Sequence, residues 1–185
     1  MAKRMVKKIL TVLKVISMIK LANAPCSWGV LEFDLEGKVA PYAQVLEEMR
    51  ATGYQGTELG DWGFLPTQPN HLSQNLSKYE LDLLGAFVPV NLKDSNTHLK
   101  GLVYALKVAG LMYYAGYENA KIVLADDNGA VEARVKNAGN ITSAMGLDPN
   151  EWEIFAEGAN QIAYAVKEAY GLQTVFHRAS RGLSV

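Results

Sequence analysis

A few side chains in this 185-residue sequence could carry chemistry. Glu58 is flanked by small and apolar residues in Gly56-Thr57-Glu58-Leu59. A carboxylate there could act as a general acid or base once desolvated, or accept hydrogen bonds from substrate hydroxyls; its structural alternative is bonding to neighbouring backbone amides. His177, closing Thr174-Val175-Phe176-His177, offers an imidazole that can exchange a proton near neutral pH. Asp126 and Asp127 precede Asn128-Gly129. Paired carboxylates are hard oxygen ligands of the kind Mg²⁺ or Mn²⁺ takes, but a turn bonded to its own backbone accounts for them more simply. Trp28 could wall a substrate ring or merely plug a packed domain, and Asp61 and Trp62 lie in a loop that could cover a site, Asp61 reading more simply as an ordinary polar turn. Cys26, the only cysteine, permits neither an intrachain disulfide nor a CxxC metal site, and the sequence supplies no base to make it a nucleophile. His71 and His98 fall at expected helix starts, where solvated side chains are anticipated.

The elements that must position these residues alternate in type. Residues 21–28 are a short apolar run ending in Cys26-Ser27-Trp28-Gly29. Pro41 opens a helical pattern, with Val45, Leu46 and Met49 on one face and Glu47, Glu48 and Arg50 on the other, and Gly53 stops it. Residues 56–59 form a brief second strand. Residues 71–81 read as helix, and 83–90 as a near-continuous apolar strand of the kind covered on both faces in a parallel sheet. Residues 98–115 make a long helix with Leu99, Leu102, Val103, Leu106, Val108, Leu111 and Met112 as its apolar positions. Residues 122–125 are a fourth strand, followed by a polar insertion over 130–149 that is longer than a usual connection. Residues 150–170 form the next helix, capped by Asp148 or Asn150, ended by Gly171, and buried through Trp152, Phe155, Ala159, Ile162, Ala163 and Val166. Residues 174–177 begin a fifth strand.

Strict strand–helix alternation implies parallel strands joined by right-handed crossovers. A doubly wound nucleotide binder would show a glycine-rich turn after its first strand, and here the chain reads Cys26-Ser27-Trp28-Gly29-Val30, with neither GxGxxG nor GxxxxGK[ST] anywhere. The alternative is a (β/α)₈ barrel. A complete barrel takes ~250 residues, so five units need ~156; residues 18–177 supply 160. The fold class expected is therefore α/β, a partial (β/α)₈ barrel of about five βα units. In such a barrel the chemistry gathers at the C-terminal ends of the strands, which is where Trp28, Glu58, Trp62, Asp126 and His177 fall.

The stretches 22–29, 53–64, 84–90, 122–129 and 174–177 resemble the inosose dehydratase-like branch of the xylose isomerase-type barrels, the sugar phosphate isomerase/epimerase family. The resemblance covers residues 18–177. It implies an isomerase, epimerase or dehydratase acting on a sugar or inositol derivative by metal-assisted proton transfer next to a carbonyl. It also implies a divalent metal (Mn, Mg or Co) held by two glutamates, an aspartate and a histidine on the later strands. His177 matches a family histidine and is the candidate for proton transfer or substrate contact, with Glu58 as its catalytic companion; Trp28, Trp62 and Asp126 are the candidate substrate contacts. Residues 178–185, Arg178-Ala179-Ser180-Arg181-Gly182-Leu183-Ser184-Val185, depart from the family where it continues into further strands. The sequence thus leads us to expect a C-terminally truncated member, ended by a frame error, that binds no metal by itself and is catalytically inactive alone.

The bulk numbers narrow the partners. Eighteen basic and nineteen acidic side chains give a net charge of -1, which offers no global attraction to nucleic acid or to an acidic membrane. A role like that of the related barrel endonucleases would need a basic groove that is not there. Lys3, Arg4, Lys7 and Lys8 precede an apolar run and Ala22-Asn23-Ala24, a pattern of export. Lys14 interrupts that run and Pro25 sits just past the cut, so residues 1–17 read instead as an extension before a start at Met18. A cytoplasmic protein is expected. The alternative to an enzyme fragment is a non-catalytic partial barrel working through self-association, because an uncovered sheet edge favours a homodimer.

Overall fold

The apolar runs pair as parallel strands in strict sequence order, β1-β2-β3-β4-β5. This is seen in a computed structural model that describes residues 20–28, 40–127 and 145–178, with positions 132, 136, 137, 140 and 142 between them. The strands are β1 (Ala22–Asn23), β2 (Gly56–Glu58), β3 (Asp82–Val90), β4 (Lys121–Asp126) and β5 (Gln173–His177); the helices are α1 (Tyr42–Ala51), α2 (Pro69–Lys78), α3 (Ser95–Tyr114) and α4 (Pro149–Tyr170). A doubly wound sheet reverses its strand order at a switch point. An unreversed order is the wall of a barrel, so the partial (β/α)₈ expectation holds. The extension 1–17, half of the 130–149 insertion and the tail 178–185 apart from Arg178 lie outside the described residues.

Only two residues of the first apolar run pair as strand; Pro25–Trp28 turns into a 3-10 helix, since Pro25 has no N–H to give a ladder. The helices begin two or three residues earlier than their apolar periodicity suggested at α2 and α3. α4 matches closely: the Asp148 carboxylate accepts the Glu151 N–H while Glu151 reaches back to the Asp148 N–H, and Gly171 closes the helix at φ 72°.

The helix-facing side of the sheet holds the core. Val45, Leu46, Met49, Leu72, Leu76, Val88, Ile122, Ile162 and Val166 are fully buried there. Three expectations about the helices are corrected. Leu99 and Val103 are 72% and 58% exposed, and Trp152 is 44% exposed. The inward stripe of α3 is instead His98, Gly101, Ala105, Val108, Ala109 and Met112. A Cβ at Gly101 would lie 2.5 Å from Val90 Cγ1, so small residues let α3 approach β3 and turn the larger ones outward. On α4 the buried positions are Phe155, Gly158, Ile162 and Val166, which leaves Trp152 at the rim with its ring edge on Phe155.

β3 carries one more residue than β2 where they pair: Thr57 faces Leu83 and Glu58 faces Gly85, so Leu84 is skipped. Gly85 permits a close approach at this point, because a Cβ there would come 2.8 Å from the Lys121 carbonyl oxygen of β4.

Candidate functional site

The irregular pairing at β2 decides where the first candidate goes. Thr57 is buried on the helix side, and Glu58 is turned to the opposite, concave face, half-buried beside glycine. Desolvation raises the pKa of Glu58, and the nearby charge of His177 opposes that rise. No hydrogen bond or ion pair reaches its carboxylate among the described residues, so the backbone-bonded structural alternative does not describe it. His177 ends β5 in register with Ala125 of β4, and its exposed ring stands edge-on to Phe87 of β3, 6.0 Å between centroids at 76°. Alternation of the strand side chains puts Phe87 and His177 on the face away from the helices. A carboxylate from β2 thereby has the imidazole of β5 within electrostatic reach across β3 and β4, at strand ends far apart in sequence.

The other candidates are held differently. Trp28 sits in the 3-10 turn after β1, partly packed on the core, and its Nε1–H donates to Glu48 of α1. Hydrogen bonds from Gln44 first and Trp28 second hold the Glu48 carboxyl below the usual range. Trp62 packs on α3, with the Lys107 Nζ 3.8 Å from its ring centre and the Tyr104 ring edge-on at 6.5 Å. Asp61, at the turn closed by Phe64 N–H onto its carbonyl, is exposed, and partial desolvation raises its pKa. Asp126 is 6% exposed and accepts the Leu92 N–H at 3.2 Å, a tie to the connection after β3 and not the bond to its own turn that the sequence suggested. Cys26 is exposed in the 3-10 turn.

His71 is exposed as anticipated, whereas His98 is a correction: it is 7% exposed and its Nε2 lies 2.7 Å from the Leu92 carbonyl oxygen. The reason is α4, whose Gly158 leaves space for the ring; a Cβ at 158 would fall 2.4 Å from Nε2. Asn91, directly after β3, went unremarked in the sequence. Its Oδ1 is buried with no hydrogen-bond partner among the described residues. The available signal was positional: it is a polar residue at a strand's C-terminal end, like Glu58, Asp126 and His177. A depression of about 490 Å³ lined by Gln68, Pro69, Asn70, His71 and Tyr114 includes none of Glu58, Asn91, Asp126 and His177.

Among the described residues no three His, Cys, Asp or Glu side chains converge as a metal cage. Glu58 and His177 are two groups of such a set, so they do not by themselves fit the divalent ion the resemblance implies. No helix among the described residues is long and apolar enough to cross a membrane.

No family model matches the chain. It is 26% identical over 161 residues to the inosose dehydratase of Salmonella typhimurium, covering 86% of this chain and 50% of that protein. It is 25% identical over 166 residues to the inosose dehydratase of Geobacillus kaustophilus, covering 89% and 52%. It is 28% identical over 161 residues to the rhizopine catabolism protein MocC of Rhizobium meliloti, covering 86% and 46%. Among solved structures, the E. coli 3-keto-D-glucoside 4-epimerase YcjR superposes with a TM-score of 0.58 at 12% identity, over 85% of this chain and 55% of that one. The chain spans about half the length of the curated relatives it matches. It is thus similar in sequence to inosose dehydratases over most of its own length and shares the fold of the solved epimerase.

Proposed function

We propose that this chain carries the substrate-facing strand ends of a sugar- or inositol-processing lyase or isomerase, with inosose, a cyclic polyhydroxy ketone, as its ligand class. The observation that carries the reading is the Glu58–His177 pair: a half-buried carboxylate whose pKa burial raises and an exposed imidazole whose charge opposes that rise, both on the concave face at strand ends. Glu58 removes the proton from the carbon next to the ketone, and the C–H electron pair becomes a π bond to the carbonyl carbon as the carbonyl π pair moves onto its oxygen, giving an enolate. In dehydration the C–O bond beyond it breaks, and the hydroxyl leaves as water with a proton from His177. In epimerisation His177 gives a proton to the opposite face of the same carbon, the enolate electrons return to form the new C–H bond and the carbonyl is restored, Glu58 keeping the proton it took. Burial helps because a carboxylate of raised pKa is a better base at neutral pH. Trp28 and Trp62 form the rim, and Asp126 acts through the backbone it holds.

The proposal gives this chain binding, with negligible turnover by itself, because any divalent metal would need ligands besides Glu58 and His177. Calorimetric titration with inosose tests it. Wild type should bind, and Glu58→Gln and His177→Gln should each weaken binding about tenfold. Wild type without heat of binding, or both variants binding like wild type, would defeat the reading. Dehydration or epimerisation by the purified chain would overturn the clause on turnover.

A second reading is self-association as a homodimer through the open sheet face, where Leu84 and Val175 are each 43% exposed. Light scattering coupled to size exclusion separates them: a dimer dispersed by Val175→Glu supports it.

A further inference from the structure

We infer that Phe87 is a positioning residue of this site, holding the His177 imidazole in place by ring-to-ring contact across β4; the inference rests on the inosose-binding reading above. The sheet sets Phe87 between the two ionisable groups. Glu58 of β2 stands opposite Gly85 of β3, and Phe87 follows two positions later on the same strand. His177 of β5 lies in the row Pro89-Ala125-His177, two positions further toward the strands' C-terminal end. Adjacent strands are about 4.8 Å apart, so the backbones of β3 and β5 are separated by roughly 10 Å. Two rings can meet across that span only where the intervening strand puts little in the way. β4 does so with Ala125, which is 1% exposed although Leu84 and Val175 on the same face stay open. The Phe87 and His177 rings lean toward one another across β4, 6.0 Å between centroids and at 76°.

This contact suits a proton-transferring imidazole. Among the described residues nothing hydrogen-bonds the His177 ring nitrogens, so both face a ligand unclaimed. An exposed side chain at a strand end samples several rotamers, and freezing one of them as a ligand arrives weakens binding. A carboxylate or carbonyl anchor would fix the ring as well, but would take one nitrogen from the ligand. An edge-to-face aromatic contact prefers a narrow geometry and takes neither. Phe87 is a firm support for it. It is partly buried, it pairs in the β3–β4 ladder opposite Val123, and its neighbours Ala86 and Val88 are sealed in the core. A site group held by a side chain on a packed strand keeps its position better than one left to solvent.

Two measurements on the full chain test this. In proton NMR the His177 ring signals are recognised by their loss in His177→Gln. The ring current of Phe87 should displace them from their values in the urea-unfolded chain, and Phe87→Leu should remove that displacement. Undisplaced His177 signals in folded wild type would overturn the inference without any ligand. In calorimetric titration with inosose, Phe87→Leu should raise Kd about fivefold, and Phe87→Tyr, which keeps the ring, should recover most of the affinity. The effect must run through His177, so Phe87→Leu should add no further loss in a His177→Gln background. An equal loss in that background would show that Phe87 acts without the imidazole, and the inference falls. If thermal unfolding shows that Phe87→Leu does not fold, Ala125→Val decides: wedged between the two rings, it should cause the same loss, and wild-type Kd there overturns the inference. If Glu58→Gln and His177→Gln weaken binding while Phe87→Leu binds like wild type, the inference fails alone; a wild type that does not bind inosose takes the functional reading and the inference down together.

Discussion

The two faces of the five-stranded sheet are built from the same apolar strands and meet different fates. On the helix side Val88, Ile122 and Leu124 are at most 2% exposed, sealed by α3 and α4. On the concave side Leu84 and Val175 are 43% exposed, and the ionisable pair Glu58 and His177 stands among them. The difference teaches that stability and chemistry are divided between faces. One face is packed until a single methyl matters; the other keeps space and partly desolvated groups, which is what a site requires.

The sharpest way to break this comparison is to cut equally into both faces. Ile122→Ala should cost about 2–5 kcal/mol by leaving a cavity, whereas Val175→Ala should cost less than ~0.5 kcal/mol. Equal losses in urea unfolding would mean the concave face is packed as tightly as the core. Next in size, Gly85→Val should cost about 1–3 kcal/mol, because its Cβ meets the Lys121 carbonyl of the neighbouring strand at 2.8 Å. A neutral result would show that the open face tolerates added as well as lost volume. Smaller again, Asp148→Ala removes the capping box of α4 and should lower stability by about 1 kcal/mol, leaving inosose affinity unchanged.

The smallest effect follows pH. The folded-state pKa of Glu58 lies above its unfolded value because burial disfavours the charge. The folded chain therefore holds the proton more tightly, and stability falls as pH rises from the unfolded pKa, near the ordinary 4.5, through the raised folded one. Glu58→Gln should flatten that decline in urea titrations. The gap should be only a fraction of the ~1.4 kcal/mol that one pKa unit represents, since the group is partly solvated. His177→Gln should steepen the decline, because the charge that opposes the rise is gone. A Glu58→Gln curve parallel to wild type at every pH would remove the electrostatic distinction between the faces.

The sequence by itself determined the alternation of elements, and with it a parallel sheet: residues 83–90 are too uniformly apolar for a half-solvated strand, and Asp148, Gly53 and Gly171 punctuate helices through local backbone chemistry. It also placed Glu58 and His177 at strand ends, because a strand's end is written in its own residues. It misjudged Leu99, Val103 and Trp152 because a helix buries the face that fits its neighbour, and fit was set by Gly101 against Val90 and Gly158 against His98, contacts between different elements that one helix's own periodicity does not contain. The same reason hid the burial of His98 and the orphaned oxygen of Asn91. Only the tertiary structure could set Glu58 against His177, since their encounter needs the register of the four strands from β2 to β5 and the one-residue irregularity that turns Glu58 to the concave face.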